Sequence, residues 1–493
     1  MAGWRFEYIP SLTLPPLAWV ARVRKDVVEV DCGQSVRYEA DGFFEGTWVG
    51  ASEIGSILDS TSPFGTGMVA RGTDLFAIPP GHTTALLFSW RDGDELLIAN
   101  TFVGLLAKGG LELLPDVDYS SMFAQTAYGL ASNPTELPTS RGPAQFHLFE
   151  NQRVLAGGRL ELSPKPREKP FRDFGDYLAR LDAALASALA NAPGYPMVIA
   201  LSRGYDSPTV ATLAARHGLH AALTFKESRP PRYTRDPSDS GEDIARKLGL
   251  SIEFFDRTAY TRRDDLPEAE FLATGYTGEE VTYVAMADAV RHKMMLTGGL
   301  AGWMWLKKQN PQVNLERKDF SACSVTEFRL RLDMIDLPLP MFGMTQIASV
   351  NAISNSAEMR PWSVGGYYDK PIARRILEQA GFARGDFGTS KRASTALMHV
   401  YGEALMAPTS VASLRAFAAA EGRTIDLSPR RRPTRLDRGL IQLFRGLRMR
   451  RLAQPFAERQ RMIVQHRPES GALLFRWGVA NTAARYAELR PPS

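Results

Sequence analysis

Apolar runs of strand length alternate with helically spaced apolar positions through the second half of the chain. Met197–Leu201 is wholly apolar and reads as a buried parallel strand. A polar turn follows, Ser202-Arg203-Gly204-Tyr205-Asp206-Ser207, and beyond it Val210, Leu213 and Ala214 recur at helical spacing. Pro208 is expected to open that helix, where a missing N–H costs nothing, with Ser207 as N-cap. His220–Phe225, Ile252–Phe255 and Lys293–Leu296 read as three further strands. Between them, Glu242–Leu248 reads as a helix introduced by Asp239-Ser240-Gly241 and ended by Gly249, and Val281–Arg291 as another. Phe174–Ala190, apolar at Phe174, Tyr177, Leu178, Leu181, Ala184, Leu185 and Leu189, predicts an amphipathic helix ahead of them all. Strands alternating with helices predict a doubly wound parallel sheet, in which ligands bind beyond the carboxyl ends of the strands. The turns after Leu201, Phe225 and Leu296 share that edge, the last closing on Thr297-Gly298-Gly299. Where Leu201 passes through the turn into a helix, unpaired N–H groups and the helix dipole face one point, which is the physics of an anion site.

The first third of the chain is patterned differently. Val27–Val30, Leu86–Trp90 and Glu95–Ala99 read as strands, the last two joined by the hairpin turn Arg91-Asp92-Gly93-Asp94. Thr101–Lys108 is a short helical piece and Leu155–Leu162 a turn and strand. No catalytic spacing is evident, and His82 and His147 read as surface or capping residues. The proline-rich, charged stretch Ser163–Phe174 has the composition of a linker, which divides the chain into 1–165 and 170–493.

Composition adds limits. A chain of 493 residues favours two domains, and 44% apolar with 23% charged residues is ordinary for a soluble protein. The net charge of +5 does not by itself point to nucleic acid. Cys32 and Cys323 are too few and too far apart for a disulfide framework or a zinc site, and they fit a reducing compartment. No basic segment with an apolar stretch opens the chain, and no apolar run reaches the ~18 residues of a transmembrane helix, so a cytoplasmic location is expected. The charge is uneven: eleven arginines stand against two acids between Arg430 and Arg461. That stretch reads either as a packed helix with a solvated arginine face or as a handle for an anionic partner, whether membrane surface, polyanionic substrate or nucleic acid.

The letters of the central turn carry more. Ser202-Arg203-Gly204-Tyr205-Asp206-Ser207 resembles the SGGxDS signature of the PP-loop ATP pyrophosphatases, and its context resembles the asparagine synthetase and β-lactam synthetase family. The resemblance implies a PP-loop (adenine nucleotide α-hydrolase-like) parallel sheet with a helical C-terminal extension. Ahead of it the resemblance implies an αββα sandwich-like, glutaminase-like domain, whose end Leu87–Leu114 resembles. It implies ATP and Mg²⁺ as cofactors and a carboxylate activated as acyl-adenylate with release of pyrophosphate, then captured by an amine. Leu201, Ser202, Arg203, Gly204, Asp206, Ser207, Phe225, Thr297 and Gly298 would then bind the nucleotide, with Asp206 a hard oxygen ligand for Mg²⁺. Thr389-Ser390-Lys391 falls where the family places a lysine that stabilises developing negative charge, and Thr326-Glu327-Phe328 where β-lactam synthetases carry a glutamate supporting a tyrosine, so Lys391 and Glu327 are the catalytic candidates. Tyr367-Tyr368-Asp369-Lys370-Pro371 resembles the family's aromatic-Asp segment near the site, and Asp239–Leu248 its acidic helix.

Several positions depart from the pattern. The chain begins Met1-Ala2-Gly3, not with the family's nucleophilic cysteine, so glutamine hydrolysis is not expected. Arg203 replaces a glycine, Gly299 stands at the tyrosine position of β-lactam synthetases, and Gly302 replaces a metal-binding aspartate, for which Asp239, Glu279 or Glu280 are candidate substitutes. The expected function is an ATP-dependent amide ligase acting on carboxylate and amine substrates, small molecules or peptides. The departures support an alternative, a nucleotide-binding relative without turnover. A third reading, a PP-loop enzyme acting on RNA, lacks the cysteine pairs common to thiolating members; DNA is not expected, and a homodimer stays open.

Overall fold

The computed structural model describes residues 3–228, 238–307, 314–317, 320–366, 368–388, 394–429, 440, 443 and 468–490. The chain is mixed α/β, with antiparallel and parallel sheets. Its first part holds strands β1 (Arg5–Ser11), β2 (Trp19–Arg24), β3 (Val27–Gly33), β4 (Arg37–Glu39), β5 (Gly42–Trp48), β6 (Pro63–Arg71), β7 (Asp74–Ile78), β8 (Leu87–Asp92), β9 (Glu95–Ala99), β10 (Thr135–Leu137), β11 (Ala144–His147), β12 (Asn151–Val154) and β13 (Leu160–Ser163). They form two sheets, ordered β1-β3-β2-β9-β8-β11-β10 and β13-β12-β7-β6-β5-β4. Alternation explains their stacking: Val28, Val30 and Cys32 of one sheet bury against Phe43, Met68, Leu75 and Ala77 of the other. Helix α1 (Phe102–Gly109) follows β9, capped by Thr101, whose side chain accepts from Gly104 N.

Helix α2 (Phe174–Ala190) lies where its apolar spacing predicts, with Asp173 as N-cap. Strands β14 (Met197–Ala200), β15 (Ala221–Phe225), β16 (Ser251–Phe255), β17 (Met294–Leu296) and β18 (Ile335–Leu337) then form one sheet ordered β16-β15-β14-β17-β18, every pair parallel. The chain order reverses beside β14, between β15 and β17, and such a switch point opens a crevice at the carboxyl edge. Both faces are covered. Ile199, Leu201, Leu296 and Leu337 pack with helix α3 (Asp206–Ala215). Val198, Leu223, Phe225 and Met295 pack with Val284, Met286 and Trp477.

Three expectations are corrected. The α3 helix begins at Asp206, with Tyr205 rather than Ser207 at its cap, because the Ser207 hydroxyl is turned back onto the loop; Pro208 still sits in the first turn, where no N–H is needed. Val281–Arg291 is not one helix but a 3₁₀ segment, Glu279–Met286, running into the short helix Ala287–Val290. His82 and His147 are interior residues: His82 Nδ1 contacts Thr84 Oγ1 at 2.8 Å, His147 Nε2 contacts Ser89 Oγ at 2.8 Å, and burial pushes their pKa down to about 3 and about 4. The proline-rich segment is packed down as well. Lys165 is buried, donating its backbone N–H to Glu150 and its ammonium to Pro79 O. One core runs from Phe88 and Phe102 through Phe171 and Leu181 to Leu296 and, near the end of the chain, Phe475.

Helix α4 (Thr326–Leu332) ties the two parts together. Arg329 donates to both oxygens of Glu45 on β5 at 2.7 Å, and Glu45 also accepts from Thr66 Oγ1, which accepts from Trp19 Nε1. Glu45 is fully buried and Arg329 nearly so. Beyond α4, helix α5 (Pro371–Gln379) packs on α3, and α6 (Pro468–Thr482) leads into the 3₁₀ segment Ala483–Leu489, the last described element. Among the described residues no helix is long and apolar enough to cross a membrane. Breaking a buried ion pair strands one charge, so Glu45→Ala is expected to lower stability by about 3–5 kcal/mol in urea unfolding, whereas Glu45→Met with Arg329→Met loses far less. A single variant as stable as the parent contradicts this role.

Candidate functional site

A cleft of about 910 Å³, its solvent-filled mouth included, lies at the switch point of the parallel sheet. Leu201, Ser202, Asp206 and Ser207 line it from the turn after β14, Phe225 from the end of β15, and Thr297 and Gly298 from the end of β17. Seven sequence-predicted residues thus meet in one cavity. Arg203 and Gly204 complete the turn through their backbones: Arg203 N–H donates to Asp239 O at 3.1 Å, its carbonyl accepts from Gly388 N at 2.8 Å, and Gly204 N–H points at Ser202 Oγ at 3.4 Å.

The turn is held closed by its two serines. Ser202 N–H donates to Ser207 Oγ at 3.0 Å, and the two hydroxyls lie 3.1 Å apart. The N-terminus of α3 carries no side-chain cap; Pro208 has no N–H and Thr209 N–H donates to Tyr205 O, which leaves the N–H groups of Asp206 and Ser207, two residues that line the cleft. Gly298 comes so near that an added Cβ would stand 2.5 Å from Ser207 N and 2.7 Å from Asp206 C. Only glycine allows that approach, which sets β17's end directly against the start of α3.

Asp206 is paired with an ammonium. Lys370, 2% exposed, donates to both its carboxylate oxygens at 2.5 Å. Lys370 precedes α5, and the turn before it is fixed by Asp369, whose carboxylate accepts from Val364 N and Gly365 N at 3.1 and 3.0 Å. The Tyr368 ring lies 4.8 Å from the Lys370 ammonium, and the Tyr205 ring packs against Tyr368 with centroids 5.4 Å apart and planes tilted by 31°, while its hydroxyl accepts from Arg374 at 2.7 Å. Asp239 lines the cleft, but Glu279 and Glu280 do not: Glu280 accepts from Ala322 N at 2.7 Å and from Ser324 N, and Glu279 faces Thr395 and His399. Among the described residues no cluster of three His, Cys, Asp or Glu side chains is suited to a metal ion. Asp206, the metal ligand that the sequence suggests, is already neutralised by an ammonium while Asp239 and Asp336 line the cleft elsewhere, so a Mg²⁺ held by Asp206 does not fit this donor set.

The two catalytic candidates fare differently from the loop. Glu327 is not brought to the cleft. It is buried between α1 and the chain's last turn, accepting from Thr101 Oγ1 and, at 2.7 Å, from the Tyr486 hydroxyl, and burial raises its pKa. Its position on α4 makes it a structural bridge. Lys391 lies outside the described residues, as does nearly all of the arginine-rich stretch 430–461. Both cysteines are buried.

Sequence reasoning missed two residues. Lys370 was legible only as part of an aromatic-Asp segment, with nothing to say that its ammonium crosses to Asp206. Asp336 sits on β18, on the face shared by Leu223 and Phe225, and lines the inner cleft beside Tyr283, Met286 and Met334. The apolar run around it, Met334-Ile335-Asp336-Leu337, is too short for a confident strand, but a lone acid inside such a run is the available signal. Burial pushes its carboxyl up from 3.8 to about 6, with Arg329 pulling it down.

A carboxyl whose pKa is higher folded than unfolded favours the fold when protonated and loses that advantage as pH rises. Relative to Asp336→Asn, the parent is therefore expected to lose stability as pH climbs from 3.8 to about 6 and to hold a constant difference above that. Urea unfolding of both proteins across that range measures it; a difference independent of pH contradicts the half-buried, cleft-facing carboxyl.

No family model matches the chain and no curated protein matches it.

Proposed function

We propose that the cleft binds ATP and that the protein is an ATP-dependent carbon–nitrogen ligase, which adenylates a carboxylate, releases pyrophosphate and transfers the acyl group to an amine without hydrolysing glutamine. The observation that carries the reading is the closed Ser202–Ser207 turn at the uncapped N-terminus of α3, pressed against Gly298 at the sheet's switch point. The all-parallel order β16-β15-β14-β17-β18 supports the PP-loop assignment of 170–493, and the two stacked strand layers support a glutaminase-like scaffold in 1–165. Burial of both cysteines supports the absence of glutaminase chemistry.

In this reading the terminal phosphates sit against the α3 N–H groups and the two serine hydroxyls, with the nucleoside toward Leu201 and Phe225. A substrate carboxylate oxygen attacks the α-phosphorus, and the bond from that phosphorus to the bridging oxygen breaks. The departing pyrophosphate takes the negative charge, which the helix N-terminus stabilises. The amine then attacks the acyl carbon, AMP leaves, and a nearby base takes the amine's proton. Asp336, the carboxyl of the inner cleft with a pKa of about 6, is suited to that last role. A second reading, nucleotide binding without turnover, is favoured by the neutralised Asp206.

Exchange of labelled pyrophosphate into ATP, driven by a panel of carboxylic acids, tests the first reading. Acid-dependent exchange is expected, and Ser207→Ala is expected to weaken ATP binding about 10- to 100-fold, the loss of a hydrogen bond to a charged group. ATP binding with no exchange for any acid favours the second reading, and no ATP binding contradicts both.

A further inference from the structure

We propose that the Lys370 ammonium takes the place of a divalent cation in this site, so that the polyphosphate of the nucleotide is bound at the α3 N-terminus without Mg²⁺. The inference rests on the nucleotide reading above and deepens it. Three observations on independent segments converge on one point.

The first is the pairing itself. Both oxygens of Asp206 are engaged by Lys370 at 2.5 Å, and the lysine is 2% exposed while the aspartate side chain is 24% exposed toward the cleft. A metal ion at Asp206 would have to share a carboxylate with a buried ammonium or drive that ammonium out, and the two positive charges would repel in a site of low dielectric.

The second is the space the ammonium fills. Gly302, beyond the turn that ends β17, has no side chain, and a Cβ built there would lie 3.7 Å from Lys370 Nζ. That is an ordinary van der Waals distance, so the glycine leaves room beside the ammonium and sets no second carboxylate next to it. The charge at this point is therefore supplied by position 370 and accommodated by position 302.

The third is rigidity. Lys370 is not a surface lysine swinging inward. Asp369 pins the preceding turn through Val364 N and Gly365 N, and its carbonyl accepts from Lys307 N at 2.8 Å. Pro371 starts α5 at once, and the Tyr368 ring lies 4.8 Å from the ammonium. The ordering cost of holding a long cationic side chain is met by the fold before any ligand arrives. Lys370 stands behind Asp206 and is not on the cleft wall, so its charge acts on a phosphate in the cleft through Asp206 and through the low-dielectric space between them.

The test is calorimetric titration of ATP into the full chain, once with EDTA and once with excess Mg²⁺. The proposal expects affinities within about threefold of each other, less than 1 kcal/mol apart. Lys370→Met is expected to bind at least about tenfold more weakly in EDTA and to recover when Mg²⁺ is added, because Asp206 is then released to a metal. Should Lys370→Met fail to fold, Asp206→Asn reads the same question: removing the carboxylate's negative charge strengthens binding in EDTA if the lysine is the resident cation. Parent binding that falls about tenfold or more in EDTA, or Asp206→Asn that loses binding, overturns the proposal. Absence of ATP binding in either condition overturns the nucleotide reading itself, and the two failures are thereby distinct.

Discussion

The site depends on one close approach. At Gly298 the end of β17 comes so near the start of α3 that a single added carbon would press on the backbone of Asp206 and Ser207. That contact joins the two strands flanking the switch point of the parallel sheet. It fixes where the helix N-terminus points, and it leaves the helix's first N–H groups facing a cleft. The serines finish the job locally: Ser207 turns its hydroxyl back onto Ser202 N, so the loop is closed by its own side chains and the helix end stays open toward a ligand. An anion site follows from backbone geometry before any charged side chain is considered.

The charged side chains then change what that site is. Asp206 reads in the sequence as a metal ligand, and a free carboxylate beside a phosphate cradle would demand a cation. The structure supplies one from within the chain, by bringing α5 across α3 so that Lys370 meets Asp206. The same segment sets Tyr368 against Tyr205 and Arg374 on the Tyr205 hydroxyl. The loop, the helix behind it and the segment from Asp369 to Arg374 form one polar network under the cleft. Glu327, by contrast, serves the packing of α1, α4 and the chain's end.

What the sequence disclosed follows the physics of each element. Long amphipathic helices and apolar strands were legible because periodicity is local: Phe174–Ala190 was readable residue by residue, and so were β14, β15 and the loop between Leu201 and Pro208. The short β18 was hidden, since three residues interrupted by Asp336 give no period. The histidines were misread because burial through Ser89 and Thr84 is a tertiary fact. The composition of Ser163–Phe174 suggested a tether, yet Lys165 is sunk beneath Pro79. Seven of the binding residues met in one cleft because all were strand ends or the turn between them, and a parallel sheet gathers such positions on one edge. Lys370 was missed because nothing local tells a lysine which carboxylate it will cross the fold to meet.

The central claim is that the nucleotide's terminal phosphates lie at the N-terminus of α3. A crystal structure of the protein with a non-hydrolysable ATP analogue tests it most directly. The account predicts the β- and γ-phosphates between Ser202, Ser207 and Gly298, within hydrogen-bond distance of the α3 N–H groups. Phosphates bound elsewhere on the chain, or an analogue that reaches the cleft with its phosphates turned away from α3, would contradict it.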